Sequence, residues 1–356
     1  AVFVKQAPEY IKCLGPEAAL SSARAKLESE VLAVHNALAP AFTPKHLHFD
    51  SERAAIVMEF LEGYVLLRDE LIAGRVFTGD ARAIGSFMGL THSRTWRGVA
   101  PQEASVQYAA RFKNDLLCDI TSQYIFLKPY DAVEGSNRFS EGLEPLVKQL
   151  QAEGGALQAA AAALNRRFRG QPECLIHGDL HAGSVMVLAV PADAPEPAVD
   201  AYKEGRLKVF DPEFACYGPA AFDVGLAVAA YVFAHHTHAA HGHADEARRA
   251  VDAARALLET YVGLMQDIHL DGDGGDVTTA ILQQALGFLG AELVRRVIGA
   301  AHVADLESID DPAIKLRAEK AVLAAGSRAL LQSQKAGCGI DDILTIMTSS
   351  EWGLDG

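Results

Sequence analysis

The stretch from Ile176 to Val187, IHGDLHAGSVMV, constrains this chain more than any other. An apolar lead-in, a His-Gly-Asp turn, a short polar loop and a β-rich run present one carboxylate, Asp179, between buried flanks. After a spacer rich in Ala, Pro and acidic residues (Pro191 to Gly205), a second apolar strand, Leu207 to Phe210, runs into Asp211, Pro212 and Glu213. Two strands joined by a turn would return Asp211 and Glu213 to the side of Asp179, with Pro212 holding the pair apart in an extended backbone. Phosphoryl transfer needs such a set: one carboxylate to orient a hydroxyl and accept its proton, and hard oxygen ligands for Mg²⁺ on the nucleotide phosphates. Taken singly, a Gly-Asp turn is ordinary loop chemistry and Asp-Pro-Glu an ordinary exit turn. Their spacing makes them specific.

The rest of the chain reads as mixed structure. Val2 to Gln6 is a predicted strand whose Lys5 points away from its apolar neighbours, a position that by itself also suits an edge-strand guard. Leu27, Val31, Val34 and Leu38 predict a helix over Ser21 to Leu38. Strands are expected over His46–Phe49 and Ala54–Phe60, and helices over Asp80–Arg94, Tyr108–Phe126, Glu141–Phe168, Val224–Phe233, Val277–His302 and Asp311–Gln332. Asp223 is placed as the N-cap of its helix. The histidines at 235, 236, 238, 241 and 243 are assigned to a mobile loop and not to a metal site, because no Cys or carboxylate stands at a ligand spacing. DGDGGD, Asp271 to Asp276, lacks the glycine of a Ca²⁺ loop and reads as a turn. Adjacent Arg295 and Arg296 on a helix point about 100° apart, so at most one should face a given pocket squarely.

Composition excludes several classes. A net charge of −14 argues against nucleic acid as the main partner. Five scattered cysteines without a CxxC pair (Cys13, Cys118, Cys174, Cys216, Cys338) indicate neither a zinc site nor a disulfide framework, and so a reducing, cytoplasmic compartment. No uninterrupted apolar run is long enough to span a bilayer.

HGDLHAGSVMV with KVFDPEFACYGPAAFDVG resembles the methylthioribose kinases, within the aminoglycoside phosphotransferase branch of the protein-kinase-like fold. Ser184, where most of that branch has Asn, and the Glu of Asp-Pro-Glu point to this family within it. VKQAPEYIKCLG, FKNDLLCDIT and GFLGAELVRRVIGAAHVADLESI extend the resemblance to about Leu331. It implies an α+β, two-lobed protein-kinase-like fold: a small β-rich nucleotide-binding lobe over residues 1–60, and a mainly helical lobe over 61–356 carrying the catalytic hairpin 176–213 and the substrate site. It implies Asp179 as the catalytic carboxylate, and Asp211 and Glu213 as Mg²⁺ ligands with Ser184 contributing. Lys5 would bind ATP phosphates and pair with Glu30, Glu28 being the second choice. Met58, Glu59 and Phe60 would form the hinge against adenine, Asp223 would brace the catalytic loop, and Arg295 and Arg296 would face the sugar. The glycine-rich hairpin that precedes such a lysine is missing from the chain, which is therefore expected to be truncated.

The resulting expectation is ATP-dependent phosphorylation of the 1-hydroxyl of 5-methylthioribose in methionine salvage, by a homodimer without membrane or nucleic-acid partners. Three rivals stand beside it: a sibling kinase for an aminoglycoside, choline or homoserine, a nucleotide-binding pseudokinase, and a helical interaction protein.

Overall fold

The computed structural model describes residues 1–10, 21–97, 99, 102–152, 154–190, 206–268, 277–335 and 337–349. Cys13, the spacer 191–205 and the Asp271–Asp276 turn lie outside the described residues.

The chain begins with an antiparallel sheet in the order β1-β3-β2, built from β1 (Val2–Gln6), β2 (His46–Asp50) and β3 (Ala55–Glu59). Helix α1 (Arg24–Leu38) packs on it, and Leu32, Ile56 and Met58 form a small core closed by Phe49. The helix starts three residues later than its periodicity suggests, because Ser21 Oγ takes the Ala23 N–H in a local turn. It ends at Leu38, since Pro40 opens a different turn.

Strand β4 (Tyr64–Leu66) joins a second sheet with β6 (Val185–Leu188) and β7 (Leu207–Val209), order β4-β6-β7, while β5 (Cys174–Ile176) pairs with β8 (Cys216–Gly218). Around these short strands pack α2 (Leu67–Ile72), α3 (Thr78–Thr95), α4 (Gln102–Arg111), α5 (Asp115–Thr121), α6 (Glu144–Leu150), α7 (Ala156–Gly170), α8 (Ala220–His241), α9 (Ala244–Met265), α10 (Val277–Ile298), α11 (Ala304–Glu307), α12 (Pro312–Gln332) and α13 (Ile340–Met347). Phe126, Phe168, Phe222 and Phe288 meet at centroid distances of 4.7 to 6.4 Å and tie α7, α8 and α10 together. Helix α10 is long and apolar enough to pass for a membrane span by composition, yet 78% of that window is buried inside the molecule.

Several expectations need correction. The helix placed over Tyr108–Phe126 is α4, α5 and a π-helical turn, Ser122–Leu127. The one placed over Glu141–Phe168 is two, interrupted at Gly154-Gly155. Helix α8 begins at Ala220 behind Pro219, so Asp223 lies inside its first turn and is not the N-cap. It also runs through His235, His236, His238 and His241 to a left-handed C-cap at Gly242, φ 82°. Those histidines are thus helical and not on a mobile loop, because their outer neighbours are alanines that favour helix.

Where α1 crosses α3, His35 sits edge-on to Phe87 at 5.2 Å and stacks on His177 at 6.4 Å. Burial, reinforced by the neighbouring His177, pushes its pKa down to about 3. The unfolded chain therefore takes up this proton near pH 6.5 while the folded chain refuses it until about 3. The His35 contribution is complete above 6.5 and is lost as pH falls through that window. Urea midpoints measured from pH 7 to 4 are expected to decline, and less steeply in His35→Leu.

Candidate active site

Lys5, near the end of β1, reaches across the sheet to α1 and to the turn after β7. Its ammonium donates to both Glu28 oxygens at 2.8 Å and to Asp211. Arg24 holds Glu213 at 3.2 Å. Glu28, Asp211 and Glu213 can each offer a carboxylate oxygen within 4.8 Å of the others. Burial, with Asp211 adding to it, pushes Glu28 up to about 8 against the pull of Lys5. Glu213 is raised for the same reasons, burial first and then Asp211. Burial alone would lower Lys5, but the Glu28, Asp211 and Glu213 charges outweigh it and raise the lysine. Hard oxygen donors short of positive charge fit a divalent cation.

Glu30, the partner expected for Lys5, is elsewhere: it pairs with Arg111 at 2.8 Å on the outside of α1. The reason is helical phase. Glu28 shares the inner face with Val31, Leu32 and His35, whereas a residue two positions on is turned by about 200°. Glu28→Gln is accordingly expected to weaken binding of a fluorescent ATP analogue about tenfold, on the scale of a lost charge-assisted bond. Glu30→Gln should leave the same titration unchanged.

Met58 belongs to the small core, and Phe60 is exposed. The Glu59 carboxylate accepts the Lys45 N–H at 2.9 Å, and its own N–H donates to the Lys45 carbonyl at 2.9 Å. That N–H is therefore already engaged.

Asp211 has φ of +66°, a left-handed conformation and not the extended one expected before Pro212. For a residue with a Cβ this is disfavoured by about 1–2 kcal/mol. Neighbouring bonds hold it there. Phe210 N–H donates to the Ser184 carbonyl at 3.0 Å, His177 Nε2 meets the Phe210 carbonyl at 3.0 Å, and the Asn114 amide spans the Glu213 and Ala215 carbonyls at 2.9 and 3.0 Å. Ser184 is buried in the 3-10 turn just before β6, its carbonyl bonded to Phe210.

The loop bearing Asp179 is fastened from beneath. Asp223 accepts the His177 and Gly178 N–H groups at 2.6 and 2.9 Å and lies 3.3 Å from His92 Nε2. It thus braces the loop through hydrogen bonds to two successive amides. His181 Nδ1 accepts from Gly183 N–H at 2.9 Å and meets Arg68 at 3.1 Å. Its Nε2 therefore carries the hydrogen that faces Asp179 at 3.3 Å. Burial alone would raise the Asp179 pKa, but His181, Arg295 and Arg296 outweigh it and hold the carboxyl well below the usual range. Arg295 comes within 3.9 Å of Asp179.

Both arginines are buried, and both bond to Glu292: Arg295 at 2.5 and 3.1 Å, Arg296 at 2.7 Å. The two adjacent side chains converge despite their 100° separation because they are long enough to turn towards one carboxylate. Sequence reasoning missed Glu292, Arg68, Asp305 and Asn114. A Glu three and four residues before an Arg-Arg pair was the available signal for Glu292.

An ion-paired lysine, a left-handed aspartate beside a glutamate, and a loop aspartate held ionised make up one candidate site on an α+β, two-lobed fold. The chain belongs to the phosphotransferase enzyme family, whose model matches residues 2–258. Curated relatives named methylthioribose kinase match most of its length. That of Yersinia pseudotuberculosis is 33% identical over 344 residues, spanning 93% of this chain and 80% of its own length. The Erwinia tasmaniensis protein is 31% identical, spanning 93% and 82%. Among solved structures, a choline/ethanolamine kinase family protein from Mesorhizobium loti aligns over 98% of this chain and 86% of its own at 14% identity, with a TM-score of 0.47. At that score it bears on neither fold nor substrate.

Proposed function

We propose that the protein transfers the γ-phosphoryl group of ATP to the 1-hydroxyl of 5-methylthioribose, in the cytoplasm, as a step of methionine salvage. The observation that carries this reading is a loop aspartate beside Arg295, on a loop bonded through His177 to Phe210 at the edge of the turn that supplies Asp211 and Glu213 to the Lys5–Glu28 pair, in a chain with methylthioribose kinases among its relatives. Residues 1–60 act as the nucleotide-binding lobe, with Met58 to Phe60 against adenine, and residues 61–356 as the lobe that carries the sugar. A homodimer is the expected assembly.

In this reading Asp211 and Glu213 would hold Mg²⁺, with Ser184 contributing. Bound there, the ion would supply positive charge that offsets that of the nucleotide phosphates. Lys5, held by Glu28, grips those phosphates. Asp179 accepts a hydrogen bond from the sugar hydroxyl and so turns the hydroxyl oxygen towards phosphorus. Because its pKa is depressed, the aspartate chiefly orients the hydroxyl and takes the proton late, as suits a loose transition state. Arg295 and Arg296 line the acceptor side, where their N–H groups donate to sugar hydroxyls.

The test is phosphorus NMR of the products formed from ATP, Mg²⁺ and methylthioribose, with choline, homoserine and glucosamine as competing acceptors. A 1-phosphate of methylthioribose as the dominant product is expected. A higher kcat/KM for one of the competitors would overturn the substrate assignment and leave the reaction class standing.

A further inference from the structure

Among the described residues, each guanidinium group around Asp179 already has an acidic partner. Arg295 and Arg296 share Glu292, whose surface is only 1% exposed. Across the catalytic loop, Arg68 lies 3.5 Å from Asp305, on α11, and also meets His181. Asp179 is the remaining anion, 3.9 Å from Arg295. Three arginines thus face three carboxylates, and the formal charges cancel. Without Glu292 the same pocket would hold two adjacent, buried guanidinium groups and a net positive charge. Arginine forks of that kind bind phosphate and carboxylate in bidentate fashion.

We propose that Glu292 is a specificity-determining residue, which cancels one guanidinium charge so that the acceptor pocket accepts an uncharged polyol and turns away its phosphorylated or carboxylated relatives. The inference rests on the reading of Arg295 and Arg296 as the acceptor side. Glu292 does more than balance charge. Lying one turn before both arginines, it gathers their guanidiniums on one carboxylate, with Arg295 held 3.9 Å from Asp179.

Inorganic phosphate is the probe. Its binding to full-length wild-type protein and to Glu292→Gln is measured by thermal shift and by isothermal titration, with ADP and Mg²⁺ present. Uncovering a unit charge in a partly screened site is expected to tighten phosphate binding about 10- to 100-fold in the variant. The gain should persist in a Lys5→Met background, which assigns it to the arginine end. Equal phosphate binding in wild type and Glu292→Gln, or a gain that disappears with Lys5, overturns the proposal. Glu292→Asp keeps the charge and is expected to raise the acceptor KM without gaining phosphate affinity; a gain there would make geometry the cause and also overturn it. Should Glu292→Gln fail to fold, Asp305→Asn uncovers Arg68 in the same pocket and must show a phosphate gain of its own. The phosphate-binding readings need no turnover, so they stand apart from failure to phosphorylate methylthioribose.

Discussion

Asp179→Asn is expected to lower kcat for phosphoryl transfer about 10³-fold, the scale of a lost catalytic carboxylate, while leaving the affinity for ATP almost unchanged. Asparagine keeps the size of the side chain and can still accept from His181, but it loses the charge that faces Arg295. The nucleotide contacts proposed for Lys5, Asp211 and Glu213 are untouched by the change. Rapid-quench single turnovers report the chemical step, and titration with a fluorescent ATP analogue reports binding. A variant that transfers at more than a tenth of the wild-type rate would remove Asp179 from the centre of the reaction. The wild-type pH profile offers a second reading. Because the Asp179 carboxyl is held well below its ordinary range, its protonation should contribute no acid limb between pH 5 and 7.

Gly178→Ala is expected to have the largest effect on stability. Gly178 has φ of +80°, and a Cβ there would stand 2.2 Å from the Phe214 carbonyl oxygen and 2.6 Å from its carbon. Both obstacles are backbone, so no side chain can swing aside. A left-handed alanine costs about 1–2 kcal/mol and overpacking about 1–3 kcal/mol more, a large share of a typical domain's stability. The loop can relieve the clash only by backing away from the Asp211–Glu213 turn, which would separate Asp179 from the proposed metal ligands. The expected result is a lower urea midpoint together with loss of transfer. Full activity in a stable Gly178→Ala protein would mean that the two loops need not touch.

Much of this site was legible because its chemistry is local in sequence. The His-Gly-Asp turn, the Asp-Pro-Glu triplet and the Arg-Arg pair each stand within a few residues, and strand pairing alone brings the first two together. The features that were not legible depend on phase and on long-range partners. Glu28 and Glu30 differ only in which face of α1 they occupy, and the apolar pattern at 27, 31, 34 and 38 did not distinguish them. The positive φ of Asp211 has no sequence signal, since it is imposed by Ser184, His177 and Asn114, residues 27 to 97 positions away. The histidine run, expected on a loop, continues a long helix that ends at the Gly242 cap. Asp223 was assigned a cap when its carboxylate serves the backbone of a different element.

The β6–β7 hairpin separates two kinds of freedom. At one end Phe210 bonds back to Ser184 and the chain enters the acidic turn; at the other, Leu188 N–H meets the Arg206 carbonyl at 2.9 Å, with Arg206 clamped by Asp80 at 2.6 and 2.9 Å. The described residues on either side of the stretch 191–205 stand at that clamped end. Evolution and the protein engineer can therefore lengthen, shorten or replace it, or thread a reporter into it, without disturbing the reacting atoms at the opposite end of the ladder.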